Sequence, residues 1–227
     1  MVIRRFPWIR QSLVIWHKEL RIEFRTRFAY STLLMFAVTT LITISFSVGG
    51  FVPDSDITAA LLWIILFFSA MAGLGRTFVQ EEEKKTITAL KMAVAPEPVF
   101  LGKYFFNVTL LCSLTVLVVP LFLVLLNQSV PLWAPFLTTV FLGALGLAGA
   151  STIIAAIVAK TEAKSAMMTI LAFPVLVPLL LATINATRIC LAGAPGTAPT
   201  TELLLLLFYN GAVVTASLLL FEYIWNE

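Results

Sequence analysis

Few residues in this chain have the types and spacing that chemistry requires. His17 is its single histidine and lies in the N-terminal segment, so a pair of axial imidazoles inside a membrane is excluded. The two cysteines, Cys112 and Cys190, join no Cys/His/carboxylate cluster with metal-ligand spacing, and no serine or cysteine has an evident base. Soft sulfur ligands in apolar stretches are limited to Met35, Met71, Met167, Met168 and Cys112. No G-x-x-x-x-G-K-[ST] stretch is present, so the chain cannot hold ATP by a phosphate-binding loop of that type. We therefore expect no catalytic residue, and no cofactor or metal bound by this chain alone. Active transport would have to draw on ATP hydrolysis in a partner subunit.

The segment from Arg76 to Lys103, RTFVQEEEKKTITALKMAVAPEPVFLGK, stands apart because it carries nine of the 27 charged residues. Read at helical spacing, Ile87, Leu90 and Val94 form an apolar stripe, while Glu81, Glu82, Glu83, Lys84, Lys85, Thr86, Thr88 and Lys91 turn mainly to the other side. Glu81 and Lys85 form a favourable i,i+4 pair, and Pro96 and Pro98 should stop the helix. Three consecutive glutamates gain nothing from an acidic lipid surface. The pattern predicts a helix that docks a cytosolic partner, with a solvated surface helix as the plainer reading.

The elements that position this segment follow from composition. Of 227 residues, 60% are hydrophobic and 12% charged, and the mean hydropathy is +1.00, which no single soluble core accommodates. A membrane helix needs about 20 apolar residues. Phe28–Pro53, Ile57–Gly75, Ser165–Thr187 and Leu203–Phe221 are uncharged, and the longer run Tyr104–Ala159 is interrupted by NQSVPLWAP. This predicts six spans, near 28–50, 57–78, 100–126, 134–159, 165–186 and 203–224, in one transmembrane domain over 1–227. No removable signal peptide is read at the N-terminus.

With both ends inside, the inner segments 1–27, 76–103 and 160–164 hold fourteen of the fifteen basic residues and only Arg188 falls outside. Gln128 and Ala192 are then external. Cations that serve topology leave no basic module for nucleic acid. The spans read as essentially free of ionisable groups, which disfavours a proton- or sodium-coupled carrier. Cys112 is placed in the third span and Cys190 in an outer loop, at depths unsuited to a disulfide.

Three further patterns concern the helices themselves. In WHKELRIEFRTR and the residues before it, apolar Leu13, Trp16, Leu20 and Phe24 alternate with basic residues, as in an interfacial helix anchoring the chain ahead of the first span. FLGALGLAGAS places Gly143, Gly146 and Gly149 three residues apart and pairs Gly146 with Ala150, a pattern for close helix packing within the subunit or at a subunit interface. Pro174 and Pro178 each remove a backbone donor from the fifth span and make it a candidate hinge.

Together the stretches WHKELRIEFRTR, GRTFVQEEEKKTITALKMAVAPEPVFLGKYFFN and FLGALGLAGASTIIAAIVAKTEAKSAMMTILAFPVLVPLLLATINAT resemble the CcmB family, haem exporter protein B of cytochrome c maturation. The resemblance implies an all-α integral membrane protein of the ABC exporter-permease type in the cell inner (cytoplasmic) membrane. It also implies two copies of the chain working with a dimer of the cytosolic ATPase CcmA, with CcmC and CcmD, and with a haem chaperone as client. By position, Glu81 to Leu90 match the family's ATPase-contacting segment. EEEKKTIT keeps Thr86 but has Lys85 where that pattern commonly has glycine. An ABC permease for another apolar substrate, and a non-transporting scaffold of a membrane complex, are the readings that stand beside this one.

Overall fold

The computed structural model describes residues 8–75, 78–79, 81, 86–159, 161, 164–194 and 197–226. Among them the chain is all-helical, with no strand and with six helices long and apolar enough to cross a membrane. In chain order the helices are α1 (Trp8–Thr26), α2 (Phe28–Val48), α3 (Ser55–Leu74), α4 (Ile87–Ala93), α5 (Pro96–Leu125), α6 (Trp133–Ala159), α7 (Lys164–Ala192) and α8 (Thr200–Asn226). The candidate spans are α2, α3, α5, α6, α7 and α8.

Local chemistry sets the breaks. Arg27 adopts a left-handed backbone (φ 53°) that ends α1 and turns the chain directly into α2. Glu23 lies on α1, yet its carboxylate accepts a hydrogen bond from the Tyr30 amide at 2.8 Å, satisfying one of the donors that every helix N-terminus leaves unpaired. Gly49 (φ 60°) closes α2, and Asp54 caps α3 by accepting from the Ile57 amide at 3.1 Å.

Pro96 and Pro98 do more than stop the preceding helix. Pro96 opens α5, where its fixed φ suits the first turn and its missing N–H has no intrahelical partner to lose. The third span's helix therefore begins well before the charge-free run at Tyr104, and Lys103 is drawn inside it.

Helix α6 is the axis of the bundle. In its most apolar window 78% of residues are buried, against 17% in α2 and 11% in α8, so α2 and α8 are peripheral and present large apolar side chains outward. Close approach to α6 depends on its small residues. Gly143 meets the Trp63 ring of α3 and Thr183 of α7, Gly146 meets Leu179 of α7 and Tyr209 of α8, and Gly149 meets Val213 of α8 and Tyr104 of α5. Ala150 is fully buried. This stripe thus packs α6 against four helices of its own chain.

Buried polar contacts fix the register of the same helices. Trp63 donates to the Thr187 hydroxyl at 2.8 Å, and Asn107 of α5 donates to the Thr152 hydroxyl of α6 at 2.8 Å. Pro174 and Pro178 lie on an exposed face of α7, which continues through them as helix. Tyr209 donates its hydroxyl hydrogen to the Val175 carbonyl at 2.8 Å, beside the site where Pro178 removes a backbone donor. Cys190 sits in the last turn of α7 and is buried there, not in an outer loop as the charge pattern suggests; it and Cys112 are free thiols. Arg188, in the last turns of α7, lies 3.5 Å from Asp56.

Candidate functional site at the basic end of the bundle

Helix α1 does not merely skirt the bundle. Ser12, Ile15 and Glu19 recur at helical spacing, are buried, and form the seam by which α1 lies on α5. Gly102 of α5 makes the crossing possible, because a Cβ there would come within 2.7 Å of Ile15 and 2.8 Å of the Ser12 carbonyl. Trp16 donates from its indole to the Thr109 hydroxyl at 3.0 Å and fastens the crossing about two turns further along α5. Leu13 and Phe24 remain exposed, so only that side of α1 is free to serve the interfacial role expected of the whole helix.

The crossing brings together four charges. Lys18 Nζ lies 3.0 Å from Glu19 Oε1 and 2.6 Å from Glu81 Oε1, while Lys103 Nζ lies 3.0 Å from Glu19 Oε1 and 3.0 Å from Glu81 Oε2. The contacts close a ring in which cations and anions alternate and the net charge is zero. Lys103 is fully buried, with its ammonium 4.8 Å from the centre of the Phe78 ring. Glu19 and Glu81 keep only 8% and 12% of their side chains exposed, and Lys18, at 39%, is the member nearest solvent.

One sequence expectation is corrected by these contacts. Glu81 does not belong to an outward polar face, because its carboxylate is engaged by Lys18 and Lys103 of the same chain. The helix of the third span also carries a buried ionisable group that the sequence reading passed over, since Lys103 lies about 10 Å along α5 from its start at the usual rise per residue. A buried cation is tolerated there because two carboxylates meet it.

The docking segment is correspondingly different in form. Helix α4 is seven residues long, with Thr86 at its N-cap, and does not extend back to Glu81. Glu82, Glu83, Lys84 and Lys85 lie outside the described residues. Ile87, Leu90 and Val94 pack against the hydrophobic core of the bundle, so the apolar stripe anchors α4 to its own spans. Met92 points away and is 80% exposed. Lys91 sits 5.7 Å from the Trp225 ring, and Trp225, Phe221, Phe78 and Phe100 form a chain of aromatic contacts with centres 5.3–5.4 Å apart. Helices α1, α4, α5 and α8 and the residues Phe78 and Glu81 therefore meet at one end of the bundle.

Electrostatics at the ring set its pH range. Burial opposes ionisation of Glu81, but Lys103 and Lys18 outweigh it and hold the carboxyl below its ordinary value of 4.5. Burial likewise opposes the charged form of Lys18, and Glu19 and Glu81 outweigh it, holding the ammonium above 10.5. The depressed carboxylate contributes stability above pH 4.5 that is lost as pH falls through its lowered folded value. The raised ammonium contributes below pH 10.5 and loses that contribution as pH rises through its raised value. The difference in thermal midpoint between wild type and Lys18→Met/Glu81→Gln should thus hold from about pH 5 to about pH 9 and shrink in stronger acid. A difference that grows in acid contradicts this assignment.

The remaining candidate residues do not converge on this end as a ligand set. Met35 is 64% exposed on α2, Met167 is exposed on α7, and Met168 is buried with its sulfur beside Gly75. Among the described residues no group of three His, Cys, Asp or Glu side chains is arranged to hold a metal ion.

The family model for CcmB protein matches residues 10–223, nearly the whole chain and all of the site described above except Trp225. The chain belongs to the CcmB family. CcmB is a membrane permease family, and membership makes this chain a multi-pass membrane permease component of the haem-exporter class in cytochrome c maturation. A search of curated proteins found no match. Within the CcmB match lie all four ring residues, Gly102 at the helix crossing and the glycine stripe of α6. Sequence patterning found the glycine stripe but missed Glu19 and Lys103. The signal for Glu19 was an acid placed on the Ser12–Ile15 seam of a predominantly basic helix.

Proposed function

We propose that this CcmB-family chain works as the membrane half of an ATP-driven assembly, with a cytosolic ATPase of the CcmA kind docking at the basic end of the bundle. ATP binding by the ATPase dimer draws two copies of the chain from one arrangement of spans to another. The movement supports delivery of haem, as cargo, or release of a haem-loaded chaperone outside the membrane, in company with CcmC and CcmD. The observation that carries this reading is the family match, together with α4: a short helix anchored inward by Ile87 and Leu90 that holds Met92 outward at 80% exposure. An unbranched, polarisable side chain of this kind adapts readily to a partner's apolar groove. The absence of a phosphate-binding loop in the chain agrees with nucleotide chemistry in a partner.

The test is co-purification of the ATPase with the full-length chain from membranes. Wild type should retain the ATPase, and Met92→Glu should weaken retention by about tenfold or more, as expected when an interface anchor is replaced by a charge. If the wild-type chain brings down no ATPase, the permease reading fails. If Met92→Glu binds like wild type, α4 is a surface helix and docking lies elsewhere.

In this reading the protein sits in the cell inner (cytoplasmic) membrane with both termini cytoplasmic. The basis is the fourteen-to-one partition of its basic residues. With Cys112 and Cys190 replaced, cysteines introduced at the exposed positions Ser129 and Met92 should differ: an impermeant thiol reagent applied outside labels Ser129→Cys and spares Met92→Cys. Equal labelling overturns the orientation.

A further inference from the structure

The ring at the basic end has a property that a single buried ion pair lacks. Its four charges can be paired in two complete ways. One pairing joins Lys18 to Glu81 and Glu19 to Lys103, which ties α1 to the Glu81 connection and also to α5. The other joins Lys18 to Glu19 and Lys103 to Glu81, which ties the connection to α5 and leaves the two ring members of α1 paired with each other, with α1 held to α5 by the Trp16–Thr109 bond and the Ser12–Ile15 seam. All four contacts are made at once in this structure, at 2.6–3.0 Å. Either pairing alone still leaves every charge with a counter-charge. Breaking a buried pair is costly because it strands a charge, and an exchange between the two pairings strands none.

We propose that this ring is a coupling joint: α1 shifts against the unit formed by α5 and the Glu81 connection by exchanging one pairing for the other. The proposal rests on the permease reading, since it gives the path by which movement at the docked α4 reaches the spans. Physical coupling between sites requires an element with two arrangements that both sites bias. The ring supplies one. Lys18, the only member with substantial exposure, is placed to move without exposing the buried Lys103. Movement of α4 also reaches α8 through Lys91 against Trp225, and the Phe221 and Phe78 rings lead from there to the Lys103 ammonium. Gly102 lets α1 lie close enough to α5 for a small slide of α1 to change the partners of Lys103.

Two double variants separate a joint from a staple, because each stays neutral and keeps one ion pair. Lys18→Met/Glu19→Gln keeps only Lys103–Glu81, and Glu19→Gln/Lys103→Met keeps only Lys18–Glu81. Each removes the second pairing while leaving no stranded charge. In the intact complex in cells, both variants should accumulate, retain the ATPase on co-purification and hydrolyse ATP at near the wild-type rate. Mature c-type cytochrome formed per assembled complex should fall about tenfold or more, the scale of typical coupling free energies. Wild-type maturation per complex in either variant overturns the proposal, as does loss of ATPase retention, which would make the ring a support for the docking surface alone. Failure of both variants to accumulate shows a staple and also overturns it. Failure of the wild-type chain to retain any ATPase defeats the permease reading instead, so the two failures are distinguishable.

Discussion

Lys103→Met should destabilise the protein by about 3–5 kcal/mol, the range measured when one partner of a buried ion pair is removed. The side chain has no exposed surface, and it faces two carboxylates that are themselves almost buried. Without it, among the described residues, Glu19 and Glu81 share Lys18 alone, and the ring carries one uncompensated negative charge. Methionine fills much of the lost volume, so the defect is electrostatic more than a cavity. Two corollaries identify the cause. Adding Glu81→Gln restores neutrality and should recover most of the loss, since buried ion pairs replaced as a pair are often close to neutral for stability. The single variant's defect should also narrow in mild acid, where a crowded carboxylate takes up a proton. Thermal or denaturant unfolding in detergent, followed by tryptophan fluorescence, reads all three. A single variant within about 1 kcal/mol of wild type, or a double variant no better than the single, contradicts the ring as described.

The parts of this structure that the sequence made legible are those governed by one-dimensional rules. Six apolar stretches separated by charge or by turn residues gave six candidate spans, because backbone groups in lipid must be satisfied within each helix. The glycines of α6 could be picked out by spacing alone, although their neighbours Trp63, Thr183, Leu179 and Tyr209 could not. The ring was illegible for a different reason. Glu19 and Lys103 are 84 positions apart and Lys18 and Glu81 are 63 apart, and no local pattern pairs them. Lys103 looked like one more cation retained at the membrane edge, which is what most such lysines are. Its place inside α5 depends on Pro96 starting that helix early, a choice between ending one helix and beginning the next that two prolines in sequence leave open. Leu13, Trp16, Leu20 and Phe24 suggested a membrane-facing side for α1, yet Trp16 and Leu20 turn toward the core. The true seam, Ser12, Ile15 and Glu19, is too polar to register as a hydrophobic stripe.

Gly143→Ala should be far more damaging than the same change at Gly149, although both lie on one helix in one repeating pattern. A Cβ at position 143 would overlap Trp63, coming within 2.6 Å of Cζ3 and closer still to Cη2, and would lie 2.9 Å from the Thr183 methyl. The Trp63 ring cannot swing aside cheaply, because it is fully buried and its indole N–H is held by the Thr187 hydroxyl at 2.8 Å. Overpacking of this kind costs about 1–3 kcal/mol, and the loss of a buried hydrogen bond adds about 1 kcal/mol if the ring moves. At Gly149 the nearest atoms would be 3.4 and 3.5 Å away, ordinary contact distances. There alanine's lower conformational entropy in the unfolded chain should make the change neutral or stabilising by about 0.5–1 kcal/mol. Gly146→Ala falls between them, since the close atom is a terminal methyl of Leu179 at 2.6 Å, which can rotate away. Melting midpoints in detergent should therefore run Gly149→Ala, Gly146→Ala, Gly143→Ala from highest to lowest. A stripe used to pair two copies of the chain would answer differently, with dimer dissociation on size exclusion and little change in the monomer's midpoint. Three equal midpoints would show that α6 does not depend on close approach at Trp63.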